Sequence, residues 1–313
     1  MRTIKILGTK VRSREYVMRC FSAEKGWTIV APDDASCDNV LMAGVGGVQD
    51  HAEAHSARIP GAILLDVNPY GVNMTHIPFR VMLDSYCYSL CREIPVYDEG
   101  KWDRHRALFG LPDPPAEWIR RNSGPVVFLL PRVGGWKNPS PDKYIKKYSA
   151  MLKRVTAEYP ELSVLVRPHP KTARDRPQHL KTLMSKLKGR RAKLDSSSPE
   201  VLCRQVRCAF GDWGTSSTAF VCRGIPVFNV GPTPETFMAK RVAVTDLSAL
   251  RDLETAEIPG TPRDYMVWLS QSVFAKEEFE SGEFNRFLDE VAFPLSTSAD
   301  APSVSRRPST GNA

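Results

Sequence analysis

Two short stretches of this chain carry residue types suited to holding an anion. Leu162–Pro170 (Leu-Ser-Val-Leu-Val-Arg-Pro-His-Pro) is an apolar run that ends in a basic, histidine-bearing turn. Its two prolines keep the backbone extended and stop a strand. His169 therefore falls at the C-terminal edge of a strand, where open α/β sheets bind ligands. A histidine there can donate to a phosphate, and Arg167 or Lys171 can add charge. The second stretch runs from Phe210 to Asn229 and contains Thr215, Ser216, Ser217 and Thr218 ahead of an apolar segment. Hydroxyl oxygens cap the free N–H groups of a helix's first turn. The same N–H groups, with the positive end of the helix dipole, attract phosphate or carboxylate. Gly214 lets a backbone approach closely, and Gly224 ends the helix before Ile225-Pro-Val-Phe opens the next strand. Each stretch alone is also compatible with a plain structural role, a capped helix in one case and a turn histidine in the other. Together they describe a socket for a phosphorylated ligand.

The elements that must position these residues alternate between short strands and helices. Thr3–Leu7, Trp27–Ala31, Asn39–Ala43 and Ala62–Asp66 read as strands, and Ser13–Lys25 as an amphipathic helix. Gly44-Val-Gly-Gly47 lacks the spacing of a dinucleotide fingerprint and the lysine of a P-loop, so it reads as a turn. Residues 95–125 are proline-rich without long apolar periodicity and read as a linker. Pro125–Pro131 then opens a second unit with a buried strand, leading into Arg132-Val-Gly-Gly-Trp-Lys137. Tyr144–Tyr159 reads as a helix, Cys208–Phe210 and Val227–Val230 as strands, and Arg263–Leu288 as helical. The alternation predicts an α/β protein with doubly wound parallel sheets. The expected organisation is an N-terminal Rossmann-like lobe over 1–122, a C-terminal lobe over 123–294 and a disorder-prone tail over 295–313.

Composition narrows the class. The chain has 313 residues, 42% of them hydrophobic and 25% charged, as in ordinary globular proteins. No apolar run approaches the ~20 residues of a membrane span, and no signal-peptide pattern opens the chain. The 7 cysteines show no paired Cys-x-x-Cys spacing and no matching histidine set. That pattern points to a reducing compartment, expected to be cytoplasmic, and away from structural zinc. The net charge of +8 favours an anionic partner without naming it. The densest basic run, Lys186-Leu-Lys-Gly-Arg-Arg-Ala-Lys193, reads either as a solvated helix end or as an anion-binding patch.

The order of the motifs resembles the C-terminal domain of GT-B glycosyltransferases, with the nearest likeness to bacterial capsule-type and polysialyltransferase-like enzymes. The matching residues are His169-Pro170, then Ser216, Ser217 and Thr218, then Gly224-Ile-Pro-Val227. The segment Tyr265–Glu283 also looks like a terminal helical segment of phage and bacterial relatives. The likeness covers roughly 120–290 and extends only loosely to the N-terminal third. It implies two Rossmann-like lobes with a cleft between them. It also implies that the His-Pro and Ser/Thr motifs hold a nucleotide-sugar donor. On that basis the donor-binding set is Arg167, His169, Thr215, Ser216, Ser217 and Thr218, with Gly134 in the first loop of the second lobe and Glu235 at a position that contacts donor ribose or sugar in many such folds.

Glycosyl transfer requires charge stabilisation at the leaving phosphate, alignment of two substrates and a base for the acceptor hydroxyl. Asp66, which follows Ala-Ile-Leu-Leu and precedes a turn, is the first candidate base, with Asp33 and Asp34 behind it. An aspartate after a strand is also a common turn former. No Asp-x-Asp sequence occurs, which agrees with metal-independent transfer without a resident cofactor, the nucleotide sugar serving as co-substrate. The expected acceptor is a saccharide or a hydroxymethylated DNA base. Alternatives are a CDP-alcohol phosphotransferase of teichoic-acid type and a non-catalytic nucleotide- or nucleic-acid-binding protein.

Overall fold

A computed structural model describes residues 2–7, 21, 26–31, 33–37, 39–43, 62–67, 79–83, 92, 94–133, 140–211, 215–229 and 257–294. Among the described residues five strands come first: β1 (Arg2–Leu7), β2 (Trp27–Val30), β3 (Val40–Ala43), β4 (Ala62–Val67) and β5 (Phe79–Leu83). Helix α1 (Lys101–Phe109) precedes β6 (Val126–Leu129), α2 (Pro141–Glu158), β7 (Val164–Arg167), α3 (Pro170–Asp175), α4 (Pro177–Ser185) and β8 (Ala192–Leu194). Then follow α5 (Pro199–Leu202), β9 (Ala209–Gly211), α6 (Thr215–Val221), β10 (Val227–Asn229), α7 (Pro262–Gln271), β11 (Val273–Phe274), α8 (Lys276–Glu280) and α9 (Glu283–Phe287), and a π-helical turn over Leu288–Ala292.

The strands form two sheets. The second is wholly parallel, in the order β10-β9-β6-β7-β8. Its central strands are buried on both faces, which explains why they read as unbroken apolar runs. Alternate residues feed different cores. Val126, Phe128, Val164, Val166 and Phe210 pack with Tyr144, Tyr148, Leu152 and Val155 of α2. Val127, Leu129, Leu165, Ala209 and Val227 pack with Leu202, Phe220, Val221 and Leu269 on the other face. Helix α2 starts where Ser140 accepts from the Lys143 N–H at 3.4 Å and Pro141 occupies the first turn. Tyr144, Tyr148, Leu152 and Val155 form its buried stripe.

The first sheet has the order β11-β5-β4-β3-β1-β2. Strands β1 to β4 are parallel, β5 pairs antiparallel to β4, and β11 at the edge pairs antiparallel to β5. Here the expectation that Arg263–Leu288 is helical is corrected. The helix breaks after α7, because Val273 and Phe274 bury completely by pairing with β5, and Ser272 O accepts from the Val81 N–H at 2.6 Å. The following Phe279, Phe284 and Phe287 join Ile4, Ile6, Leu41 and Ile63 in one core. The expected C-terminal unit runs over 123–294; in the structure the apolar side chains from Phe274 to Phe293 pack in the core of the first sheet, and Trp27 Nε1 donates to Asp289 Oδ1 at 3.0 Å.

The linker reading of 95–125 is likewise refined, since α1 lies within it. Its buried residues are Lys101, Trp102 and His105, so its inward face is not the apolar stripe that sequence patterning detects. Lys101 Nζ donates to the Tyr97 hydroxyl at 2.8 Å and sits 3.4 Å from the centre of the Phe274 ring. His105 Nε2 and Glu278 Oε2 are 2.8 Å apart, and the same oxygen accepts from the Ala275 N–H. Burial lowers the Lys101 pKa to about 8, although Glu278, Glu283 and Asp98 draw it back up.

Candidate functional site

Strands β9, β6 and β7 are neighbours and parallel, so their C-terminal ends lie at one edge of the second sheet. This edge brings together Arg132 after β6, Arg167 and His169 at the end of β7, and α6 after β9. Gly211 allows the close approach. Its φ is +149°, and a Cβ there would meet Leu129 O at 2.6 Å.

Arg167 is anchored from several sides. Its carbonyl accepts from the Leu130 N–H at 2.9 Å, and its side chain is only 8% exposed. Nε donates to Ser197 O at 3.1 Å, and Nη1 donates to Ser216 Oγ at 3.1 Å. Burial pushes its pKa down, opposed by Glu200, Cys203 and Asp195; a guanidinium nevertheless stays charged at neutral pH. Of its five N–H donors, those two bonds among the described residues leave others for a ligand.

His169 caps α3. Its Nδ1 accepts from the Lys171 N–H at 3.1 Å, and its carbonyl accepts from Thr172 N–H at 2.9 Å and Ala173 N–H at 3.0 Å. That assignment leaves the ring proton on Nε2, which makes no hydrogen bond to a described residue. Burial, with the positive charges of Arg132, Lys171 and Arg167, lowers the His169 pKa to about 4. At neutral pH the ring is therefore an uncharged donor rather than a cation. The Thr172 hydroxyl accepts from the Val133 N–H at 3.0 Å, which ties the loop carrying Arg132 to the helix carrying His169.

The hydroxyl cluster is less uniform than its sequence suggests. Ser217 and Thr218 are each 2% exposed, and Thr218 Oγ1 finds no partner among the described residues. Ser216 is half-buried and engaged by Arg167. Thr215 begins α6, and its side chain lies outside the described residues, as do Gly134, Glu235, Asp212, Trp213 and the Gly44–Gly47 cluster. Helix α6 has 7 residues, so the buried guanidinium outweighs any dipole contribution from so short a helix. Gly224, with φ +72°, ends the α6 turn, where a side chain would strike Pro115.

Asp66 lies in β4, paired in register with Arg80, and so belongs to a different sheet from Arg167 and His169; its side chain is outside the described residues. Asp34 accepts from Ser36 N–H at 2.8 Å and Ser36 Oγ at 2.6 Å. Those bonds lower its pKa and mark it as a turn former.

No protein-family model matches the chain, and no curated protein sequence matches it. Solved structures do. Its backbone superimposes on the β-Kdo 2,7-transferase of KpsC from Thermosulfurimonas dismutans with TM-score 0.50 and 13% identity, covering 92% of this chain and 99% of that one. The β-Kdo 2,4-transferase of KpsC from the same organism gives TM-score 0.50 and 12% identity over 87% of this chain and 90% of that one. The fold is GT-B-like. In this GT-B-like frame the Arg167–His169 corner occupies the strand-end position where open α/β sheets take ligands. Two residues of that corner escaped the sequence reading as site residues, Arg132 and Thr172. The only available signal was their position just beyond an apolar run and just beyond the His-Pro turn. Among the described residues no helix is long and apolar enough to cross a membrane.

Proposed function

We propose that this chain is a glycosyltransferase that moves a sugar from a nucleotide-sugar donor to a saccharide hydroxyl. The observation that carries this reading is the convergence of Arg167, His169 and Ser216 at adjacent strand ends. The GT-B-like fold, similar to structures described as Kdo transferases, supports it.

In this reading Arg167 and the uncharged Nε2–H of His169 donate to the phosphate of the donor. Arg132 and Lys171 add positive charge beside them. The bond between the anomeric carbon and the phosphate oxygen breaks, and its electron pair leaves with the nucleotide. Charge grows on that oxygen in the transition state, where a preorganised guanidinium and a neutral donor stabilise it most. The acceptor oxygen bonds to the anomeric carbon and gives its proton to a base, for which Asp66 is the candidate. The positive groups of the corner supply the charge compensation that other transferases take from a metal, so the proposed transfer is metal-independent.

The test is thermal stabilisation against CMP, CDP, UDP, GDP, ADP and dTDP. A ligand that binds only the folded state stabilises it by about 2.7 kcal/mol at a hundredfold excess over Kd. A shift with one base, abolished in His169→Ala, supports the donor site and selects the sugar nucleotides for product analysis. No shift with any nucleotide overturns it. A phosphodiester product released with CMP would instead assign an alcohol-phosphate transferase.

A further inference from the structure

The basic run Lys186–Lys193 takes no part in the donor corner. It forms the turn after α4 and enters β8, the edge strand of the second sheet. In β8, Lys193 is in register with Leu165, which is in register with Val127. Side chains in register on parallel strands share a face, so Lys193 extends the row that elsewhere packs under Leu202, Cys203 and Val206. Helix α5 has only 4 residues, and beside it a groove of about 730 Å³ stays open over β7 and β8. That volume lies within the ~300–1,000 Å³ of small-ligand sites.

The groove is preformed. The Arg121 guanidinium donates to Val206 O at 2.7 Å, Arg207 Nε donates to Arg121 O at 3.0 Å, and Arg207 N–H donates to Pro125 O at 2.9 Å. These bonds hold the Gly124–Pro125 side against the turn after α5 that carries Gln205. Arg191 is fixed on Glu161 O at 3.1 Å. Arg190 and Lys193 make no ion pair within 4 Å of a described carboxylate, so their charges face the groove and solvent uncompensated at contact range.

The lining discriminates among anions. Among the described residues no aromatic lines it, which removes the platform on which unpaired bases stack. Glu161 and Asp195 also line it, and two carboxylate acceptors find no partner on a DNA backbone, whose phosphodiesters carry no O–H donor. With Ser163 and Gln205, the carboxylates instead offer acceptors and donors to hydroxyl groups, while Arg190, Arg191 and Lys193 match scattered acidic groups. A ligand bearing both hydroxyls and carboxylates satisfies all of them. We propose that this groove binds an acidic saccharide chain, at a site distinct from the Arg167–His169 corner. The inference does not depend on catalytic activity.

The test is calorimetric titration of the full chain with a hexauronate, with maltohexaose and with a short oligothymidylate, in wild type and in the exposed double variant Arg190→Ser/Lys193→Ser. The hexauronate binds wild type and weakens as salt rises, its Kd rises about tenfold or more in the double variant, and maltohexaose does not bind. The double variant keeps the wild-type melting temperature and nucleotide response. Absence of hexauronate binding, or equal binding in the double variant, overturns the proposal. Tighter binding of oligothymidylate through the same two residues would also overturn it, giving the groove to nucleic acid. A failed nucleotide response in wild type would bear on the donor reading alone.

Discussion

Arg167 Nη1 donates to Ser216 Oγ at 3.1 Å, across 49 residues of sequence, and so links the end of β7 to the start of α6. The hydroxyl positions the guanidinium, and the guanidinium supplies the charge. The two substitutions should therefore differ in severity. Arg167→Ala should weaken nucleotide binding by about a hundredfold, since a charge-assisted bond contributes ~1.5–3 kcal/mol. Ser216→Ala should cost about 1 kcal/mol, or fivefold. Arg167→Lys should resemble Arg167→Ala more than wild type, because an ammonium cannot hold both Ser197 and Ser216 in a fork. Equilibrium titration with the nucleotide selected by thermal shift checks this ranking.

The state of His169 sets a pH signature. Its folded pKa, about 4, lies below the usual histidine value because the ring is buried among positive groups. A depressed pKa contributes stability that is fully present above the unfolded value of about 6.5 and is lost as pH falls towards 4. The wild type should therefore lose stability between pH 6.5 and 4 by more than His169→Gln does. Phosphate binding should raise the ring's pKa, so nucleotide affinity should increase as pH falls from 6.5 to 5. An NMR titration of the ring, with and without nucleotide, reads both effects. A free-protein pKa near 6.5 would refute the neutral-donor role.

Gly211 provides a steric test of the corner. Alanine there would place a Cβ 2.6 Å from Leu129 O, a backbone atom that moves only with its strand. Gly211→Ala should lower stability by roughly 1–3 kcal/mol and reduce nucleotide binding, because α6 and Ser216 shift with it. Chemical denaturation and nucleotide titration measure the two effects separately.

The Lys101–Glu278–His105 cluster tests the junction of α1 with α8. Glu278 meets the buried His105, approaches Lys101 Nζ at 4.0 Å and accepts from Ala275 N–H. Glu278→Ala should destabilise the fold by about 3–5 kcal/mol, since it leaves a buried cation and a buried N–H without their partner. Lys101→Met should cost far less, because a straight apolar chain can replace the lysine stem beside Phe274 and Tyr97 without a charge to bury. Urea unfolding of both variants gives the comparison.

The sequence by itself determined the strands and the turns that punctuate them. Val126–Leu129 and Val164–Arg167 are legible because a strand buried on both faces must be apolar throughout, and Pro168 and Pro170 allow only an extended stop. The strand-end position of His169 and the helix that opens at Thr215 were legible from the flanking Pro168, Pro170 and Gly224. Tertiary structure decided what periodicity cannot carry. Helix α1 hides because its buried face holds Lys101 and His105, whose burial depends on distant partners. Val273–Phe274 reads as helix until β5 offers an edge to pair with. The neutral state of His169, the anchoring of Arg167 and the burial of Ser217 and Thr218 arise only when β6, β7 and β9 align side by side. Charge, solvation and hydrogen-bond partners are properties of that packed environment, and residues far apart in the chain create it.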